Sequence, residues 1–521
     1  MTPKTAFLST NSRSIFKLLI ADIRIPAAIV SFVLVYWVIF LRQTINLDGI
    51  FYIRVADLLY QGKLEEAYNL YPWVVYPGLI ALVSKIFGLG LENSAHLLTA
   101  SFSAVLTYVF ITLVRDLGGD KKTVVIAALV IVLYPELNES RYQLCRDHGY
   151  WAFYLLSLLF FVRYSFKPRW QYAFVWSICM LIAISFRIEG LVFLLFLPGV
   201  LFFRNGLPFV RRIQYVVRAH IFNIILLVIS LGFLVIGPDF LMVRKTPIIQ
   251  FFTRLGFSWD GISGNITQKA EIVGSTVLHA YSDEYSILIV ILIPVIILVA
   301  TLFKSLTPLY SGLLLWAPFS KYNFLKKEGF PILTWTIILN SIILLAFILS
   351  LGFLQARYTY PLVLSLLVIL SFFLVKLYDS FLAIRIISFK KAIPYYLVFF
   401  LLILNSLEGI ASMPGMSKQY IKESGLWLKD RIKPGENLCT NNVKIIYYLG
   451  NMDDLAIQSK RVRETASEEW LEKISLEKCD YYAVWVKHNS SVDSGEISAI
   501  LGSNSIKEFK NKKDDVVLIF K

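Results

Sequence analysis

Long apolar stretches recur along the first 411 residues of the chain, separated by short polar segments. A stretch of about 17 or more apolar residues can cross a bilayer as a helix. The pattern therefore predicts a polytopic α-helical membrane protein with about eleven transmembrane helices. The predicted spans are roughly 25–41, 95–114, 123–135, 148–166, 170–186, 188–203, 221–237, 285–303, 331–350, 358–376 and 392–411.

Two further apolar segments need a separate interpretation. Residues 76–91 are interpreted as an amphipathic helix in the outer membrane interface, because a span here would invert every later basic loop. Residues 308–318 are too short to cross a bilayer. They are expected to form an interfacial or re-entrant segment on the inner side.

The basic residues predict the orientation of the chain. Lys and Arg outnumber Asp and Glu by 51 to 36, and the net charge of +15 alone could suggest a nucleic-acid partner. The basic residues instead cluster in alternate short loops, which is typical of the cytoplasmic side of a membrane protein. We therefore expect a cytoplasmic (inner) membrane protein with a cytoplasmic N-terminus, a retained signal anchor, membrane lipid around it and no nucleic-acid partner. The basic loops are near 1–24, 115–122, 163–169, 204–218, 304–327 and 385–391.

This topology divides the chain into two domains. Residues 1–411 form the membrane domain, with outer loops at 42–94, 136–147 and 238–284. In residues 412–521, polar residues rise and apolar runs shorten, which predicts a small extracytoplasmic α/β domain. Strands are expected at 437–440, 455–459, 481–487, 505–510 and 515–520, and helices at 443–449, 467–474 and 494–501.

The four cysteines include Cys439 and Cys479, both in the C-terminal domain. The sequence leaves open whether these two form a disulfide, because pairing depends on geometry. No clustered Cys and His residues indicate a zinc site. No cofactor is identified; a divalent metal would be compatible with the outer carboxylates, but no ligand pattern defines a site.

Two aspartates are the main candidates for chemistry. Asp48 follows the first span and Asp147 precedes a later one, so the topology puts both at one outer mouth of the bundle. A carboxylate this close to hydrocarbon is costly without a partner or a function. Asp48 can be a helix cap or a general base, since an ordinary Asp is ionised at neutral pH. Asp147 can pair with the adjacent Arg146 or act as a second carboxylate.

Other candidates lie at the outer ends of predicted spans. Arg187 and Glu189 can form an anchoring ion pair or belong to a binding site. Arg357 can anchor a span end, or it can bind a phosphate with its fork of donors. Tyrosines in the same outer regions can belong to an interfacial aromatic belt or contact a substrate.

Four segments together resemble the GT-C class of membrane glycosyltransferases. They are most similar to the family of protein O-mannosyltransferases and lipid A aminoarabinose transferases, which is glycosyltransferase family 39-like. In many members the Asp after the first span is followed by Glu, whereas here Gly49 follows Asp48. The segments are Asp48–Ala56, Tyr76–Leu82, Tyr134–Leu137 continuing to Arg146 and Asp147, and Arg357–Pro361.

The resemblance implies inverting transfer of a sugar from a polyprenyl-phosphate donor to a hydroxyl acceptor on the outer face. It implies that Asp48 is the base and Asp147 a second catalytic carboxylate. Loop 238–284 would be a mobile lid, with a flexible segment at Gly256–Gly264. The acceptor can be a lipid, a glycan or a protein. The residues expected to bind the donor phosphate are Arg357, Arg187 and Arg146, and those expected to contact substrate are Glu189, Tyr52, Tyr76 and Tyr358.

Two other functions are compatible with parts of this pattern. One is a ligase or polymerase that uses lipid-linked oligosaccharides. The other is a membrane transporter or flippase, which predicts repeated halves and ionisable residues at mid-membrane. The candidate charges lie at span ends instead, and the sequence shows no repeated halves.

Overall fold

A helical bundle is followed by a small sheet domain in the computed structural model, which describes residues 22–204, 206–236, 259–319, 329–411, 418–433, 435–450, 470–471, 479–488, 490 and 492–521. The bundle helices up to the first gap in the membrane domain are α1 (Arg24–Arg42), α2 (Leu47–Tyr60), α3 (Leu64–Leu70), α4 (Val75–Phe87), α5 (Leu91–Asp116), α6 (Lys121–Leu133), α7 (Pro135–Ser140), α8 (Asp147–Phe166), α9 (Trp170–Phe186), α10 (Gly190–Phe196) and α11 (Phe209–Ile236). The later ones are α12 (Trp259–Thr276), α13 (Ser286–Trp316), α14 (Phe330–Leu351), α15 (Tyr360–Ile387) and α16 (Phe389–Ala411).

Six helices in the described residues are long and apolar enough to cross a membrane, namely α1, α5, α13, α14, α15 and α16. Each coincides with one of the predicted spans. The other five predicted spans coincide with α6, α8, α9, α10 and α11. Many large apolar side chains of these helices are exposed, as expected for a surface in contact with lipid. The fold is that of a multi-pass membrane protein.

One end of the bundle carries the basic loops. There Lys122 of α6 contacts Asp379 of α15 at 2.9 Å, and Arg163 of α8 contacts Asp116 of α5 at 2.6 Å. Gly329, which precedes α14, packs against Leu117 and Phe166 at this same end.

The chain near Lys304 lies at the opposite end, and its predicted place in a cytoplasmic loop is wrong. The Ser305 hydroxyl accepts a hydrogen bond from Thr359 at 3.0 Å, just before α15, and the Ser305 carbonyl accepts one from Tyr134. Helix α13 breaks at Thr307, whose φ of 63° and ψ of 153° are not helical. Counting charges along a sequence does not reveal such a break.

Residues 308–318 are also placed differently from the prediction. After the break, the chain continues to Trp316, whose ring packs edge-on against Phe373 at 5.6 Å, inside α15. The following helix α14 begins at the end of the bundle with the basic loops. This segment therefore leads along the bundle and is not an interfacial segment of the inner side.

Helix α4 has the features of the predicted interfacial helix. Its 13 residues measure roughly 20 Å, less than the hydrocarbon thickness of about 30 Å. One face buries Tyr76 and Ile80 against the bundle, while Leu82, Ile86 and Phe87 are exposed.

The predicted lid falls partly on residues 237–258, which lie outside the described part of the chain. The remainder contains α12 and a 3₁₀ turn at Ala280–Tyr285, so residues 259–264 of the segment Gly256–Gly264 are helical. The Lys269 side chain of α12 donates a hydrogen bond to the Leu349 carbonyl at 3.0 Å. This hydrogen bond joins α12 to the last turn of α14.

The C-terminal domain contains a four-stranded sheet with strand order β1-β2-β4-β3. Strand β1 pairs with β2 in parallel, and the other pairs are antiparallel. The predicted α/β class is confirmed, although α17 was not predicted and the expected elements at 455–459 and 467–474 lie almost entirely outside the described residues. The elements are α17 (Gln419–Lys429), β1 (Leu438–Thr440), α18 (Val443–Leu449), β2 (Tyr481–Val486), α19 (Ser494–Leu501), β3 (Lys507–Lys510) and β4 (Val516–Phe520).

Alternation along β2 places side chains on both faces of this sheet. Tyr481 and Ala483 pack in the cluster that includes α17 and α18, while Val484 and Val486 pack with Ile497 of α19. Period-two alternation is what a strand covered on both faces requires. The domain thus has its own core on each side.

Cys439 and Cys479 form a disulfide between β1 and the residue two positions before β2, with their Cα atoms 6.0 Å apart. Cys145 and Cys179 are buried free thiols in the bundle. Structural disulfides persist in oxidising compartments, which agrees with an extracytoplasmic C-terminal domain.

We expect the denatured, unreduced protein to take up a maleimide-polyethylene glycol label at two cysteines, and the reduced protein at four. Replacing Cys439 and Cys479 together by Ala should lower the unfolding free energy of the domain by roughly 2–4 kcal/mol, because the bridge closes a 40-residue separation. Gel mobility counts the labels, and denaturant titration measures stability. Four labels without reductant would contradict the disulfide.

Candidate active site

Helix termini meet at the end of the bundle opposite the basic loops. Asp48 lies in the first turn of α2, and Asp147 is the first residue of α8. Arg187 directly follows α9, Glu189 directly precedes α10, and Arg357 lies in the 3₁₀ turn before α15. Carboxylates in the first turn of a helix interact favourably with its dipole. The structure thus brings together five predicted site residues from distant parts of the sequence.

These five residues form an alternating ion-pair chain. Arg357 Nη1 contacts Asp48 Oδ2 at 2.5 Å, and Arg357 Nε lies 3.9 Å from Asp147 Oδ2. Arg187 donates hydrogen bonds to the carboxylates of both Asp147 and Glu189. The Asp48 carboxylate therefore binds an arginine instead of capping its helix. Within the described residues, no three His, Cys, Asp or Glu side chains are grouped closely enough to hold a metal ion.

The two aspartates differ sharply in burial. The Asp48 side chain is 41% exposed and that of Asp147 only 4%. Burial alone raises the pKa of Asp147, but the positive charges of Arg187 and Arg357 outweigh it and hold the pKa below its ordinary value. Asp147 is thus an ionised carboxylate enclosed by arginines. Asp48 is the aspartate of the pair that a second molecule can reach.

Aromatic rings hold the guanidinium groups in place. The Tyr358 ring lies 4.3 Å from the Arg187 guanidinium carbon and 5.4 Å from that of Arg357. Arg146 lies 5.3 Å from the ring of Trp73, whose indole donates a hydrogen bond to the Ser185 carbonyl. Cation–π contacts of this kind orient a charge without neutralising it. Arg146 is therefore near the ion-pair chain, but its observed ring partner is Trp73.

Tyr52 and Tyr76 lie on the bundle side of the site. Their rings meet edge-on at 5.2 Å, and Tyr52 also packs against Tyr71 at 5.8 Å. Tyr76 is only 1% exposed. Its position suits support of Tyr52 better than direct contact with a substrate.

A pocket opens beside the ion-pair chain. Its polar lining comes from Arg187, Glu189, Arg357 and Asn340, and α14 contributes an apolar wall. Asn340 is not among the predicted site residues, because nothing in its local sequence sets it apart from other polar residues in an apolar helix. The other lining residues are Tyr150, Trp151, Ile343, Leu344, Phe347, Tyr358 and Pro361.

A two-way hydrogen bond joins the segments that carry the two aspartates. Asn46 Nδ2 donates to the Leu144 carbonyl at 3.2 Å, and the Leu144 N–H donates to Asn46 Oδ1 at 2.8 Å. Gly49 makes this close approach possible. A Cβ at Gly49 would lie 2.8 Å from Asn46 Oδ1 and 2.9 Å from Leu144 Cβ. The glycine that departs from the family pattern is thus required by the local packing.

Solved structures of other proteins share this fold. The archaeal oligosaccharyltransferase AglB from Archaeoglobus fulgidus, in complex with an inhibitory peptide and a dolichol-phosphate, matches with a TM-score of 0.51 and 14% identity over 89% of this chain and 69% of that chain. ArnT from Cupriavidus metallidurans, bound to undecaprenyl phosphate, matches with a TM-score of 0.50 and 11% identity over 95% and 97%. No protein-family model and no curated protein matches the sequence. The chain therefore has the GT-C glycosyltransferase fold that the sequence resemblance implied.

We expect Gly49→Ala to lower the unfolding free energy by about 1–3 kcal/mol, because its Cβ has no space beside Asn46 and Leu144. Thermal unfolding in detergent measures the change. Gly78→Ala is the matched control, since a Cβ there would have one neighbour at 3.9 Å. Equal melting temperatures for the two variants would contradict the packing role of Gly49.

Proposed function

We propose that this protein is an inverting glycosyltransferase of the cytoplasmic membrane. It moves a sugar from a polyprenyl-phosphate donor to a hydroxyl acceptor on the outer face. The GT-C fold supports the reaction class, and two proteins with this fold were solved with dolichol-phosphate or undecaprenyl phosphate. The observation that carries the proposal is the pairing of an accessible carboxylate, Asp48, with Arg357 at the edge of a mainly apolar pocket.

The two pocket arginines suit different roles. Arg187 is 7% exposed, and its charge is already balanced by ion pairs with Asp147 and Glu189. Arg357 is more exposed, with 21% of its side chain accessible. An accessible arginine at the edge of a pocket is suited to bind a phosphate. The apolar wall from α14 suits the first isoprene units attached to that phosphate.

Asp48 is the proposed general base. Arg357 contacts its Oδ2 atom, while no hydrogen bond reaches Oδ1 from the described residues. Asp48 accepts the proton of the acceptor hydroxyl as that oxygen attacks the anomeric carbon. The bond from this carbon to the phosphate oxygen breaks, and its electron pair leaves on polyprenyl phosphate. Arg357 balances the charge of the leaving group, and a single in-line displacement inverts the anomeric centre.

A second candidate donor is a lipid-linked oligosaccharide, because one structural neighbour is an oligosaccharyltransferase. The pocket favours a polyprenyl-phosphate sugar as the donor. Of the two arginines that line the pocket, Arg357 is the more exposed, and one arginine suits one phosphate. Parallel assays with polyprenyl-phosphate sugars and polyprenyl-diphosphate oligosaccharides distinguish the two. Transfer from the diphosphate donors alone would favour the second candidate.

We expect Asp48→Asn to lower turnover of labelled polyprenyl-phosphate sugars by at least about 100-fold, because the amide cannot take up the proton. The assay uses purified protein in detergent with a panel of hydroxyl acceptors. Asp57→Asn is the matched control, since Asp57 lies in the same helix and pairs with Arg54 at 3.3 Å. Unchanged turnover in the Asp48 variant would sink the proposed mechanism.

Arg357→Lys is expected to raise the donor KM by about tenfold, because a lysine keeps the charge but loses the fork that can hold phosphate and carboxylate together. Initial rates at varied donor concentration measure this change. Arg54→Lys in α2 is the control for an arginine outside the pocket. A donor KM equal to that of the wild type would remove Arg357 from the phosphate site.

A further inference from the structure

Two adjacent tyrosines of the C-terminal domain contact different parts of the membrane bundle. The Tyr448 hydroxyl oxygen accepts a hydrogen bond from the Ile45 backbone N–H at 3.0 Å. The Tyr447 hydroxyl donates to Glu92 Oε2, at the start of α5, at 2.5 Å. Both residues belong to α18, so one short helix reaches the bundle at two places.

The Tyr448 hydroxyl contacts the segment that precedes Asp48, the proposed base. Ile45 is three residues before Asp48, in the connection between α1 and α2. It is 3% exposed, and a buried backbone N–H requires a hydrogen-bond partner. The next residue, Asn46, forms the two-way hydrogen bond with Leu144. The segment that carries Asp48 is thus supported by the loop before Asp147 and by the C-terminal domain.

The position of Tyr448 is itself fixed by packing within the C-terminal domain. A Cβ at Gly425 of α17 would lie 2.7 Å from Tyr448 Cβ and 2.9 Å from the Ile445 carbonyl oxygen, so α17 and α18 are in close contact. Ile446 is 3% exposed and belongs to the apolar core of the membrane bundle. Helix α18 is therefore held from both sides, which leaves the Tyr448 hydroxyl little freedom.

We propose that Tyr448 is a positioning residue for Asp48, and that the C-terminal domain is in this way part of the catalytic unit. This inference rests on the proposed function of Asp48 and extends it. Tyr448 acts through the Ile45 backbone, and its hydroxyl supports the start of α2. Losing this support lets the Asp48 carboxylate move relative to the anomeric carbon. Small displacements of a catalytic group are costly, because the reacting atoms must be aligned.

The test uses full-length Tyr448→Phe protein in detergent, with Tyr447→Phe as the matched control. Both variants remove one hydroxyl from the same junction, but only Tyr448 contacts the segment before Asp48. Hydrogen–deuterium exchange is measured on peptides covering residues 42–52. Initial rates are measured with polyprenyl-phosphate sugar donors, and melting temperatures report global stability.

In Tyr448→Phe we expect amide exchange within 42–52 to accelerate on the order of fivefold. We expect kcat to fall about tenfold with a smaller change in the donor KM, since proton transfer requires an aligned Asp48, whereas Arg357 also lies beside Asp147. Tyr447→Phe should change neither quantity. Equal effects in both variants, or no effect in Tyr448→Phe, would overturn the proposal, because either result leaves no specific support of Asp48.

Gly425→Ala provides a second, independent variant that keeps the tyrosine hydroxyl but displaces α18. It should reproduce the faster exchange of residues 42–52, and normal exchange there would count against the proposal. The exchange measurement does not require turnover. If the wild-type protein transfers no sugar, the proposed function fails, whereas accelerated exchange in Tyr448→Phe still establishes the physical support.

Discussion

The sharing of Arg357 between Asp48 and Asp147 is the contact on which the geometry of the site depends. Arg357 precedes α15, Asp48 begins α2 and Asp147 begins α8, so one guanidinium connects three helix ends. A buried carboxylate such as Asp147 is tolerated only with compensating charge, and Arg187 and Arg357 provide it. The same requirement fixes the position of Arg187 and, through it, that of Glu189.

Burial then separates residues of the same type into different roles. Asp147 and Arg187 are buried and form an ion pair with each other. This pair is a rigid support for the rest of the site. Asp48 and Arg357 lie at the exposed end of the chain of charges, where an incoming molecule can compete for either partner. The exposed pair can therefore exchange partners during a reaction, while the buried pair keeps the helices in place.

The placement of the two aspartates at one end could be predicted, because hydrophobic spans and basic loops constrain topology along the whole chain. The break in α13 at Thr307 could not be predicted, since a single residue with positive φ leaves the apolar pattern unchanged. For that reason Lys304 was predicted on the wrong side of the membrane. The roles of Asn46 and Gly49 depend on Leu144, almost 100 positions away. Pairing between such distant segments has no local signature in one sequence.

The balance of charge within the site bears on the order of binding in the proposed reaction. Arg146, Arg187 and Arg357 face three carboxylates, so these groups have no excess charge before a donor arrives. Under the proposed function, a donor phosphate would share the donor groups of Arg357 with the Asp48 carboxylate. The proposed reaction therefore favours binding of the donor first, because a phosphate that engages Arg357 leaves the exposed Asp48 carboxylate freer to accept a hydrogen bond from the acceptor hydroxyl.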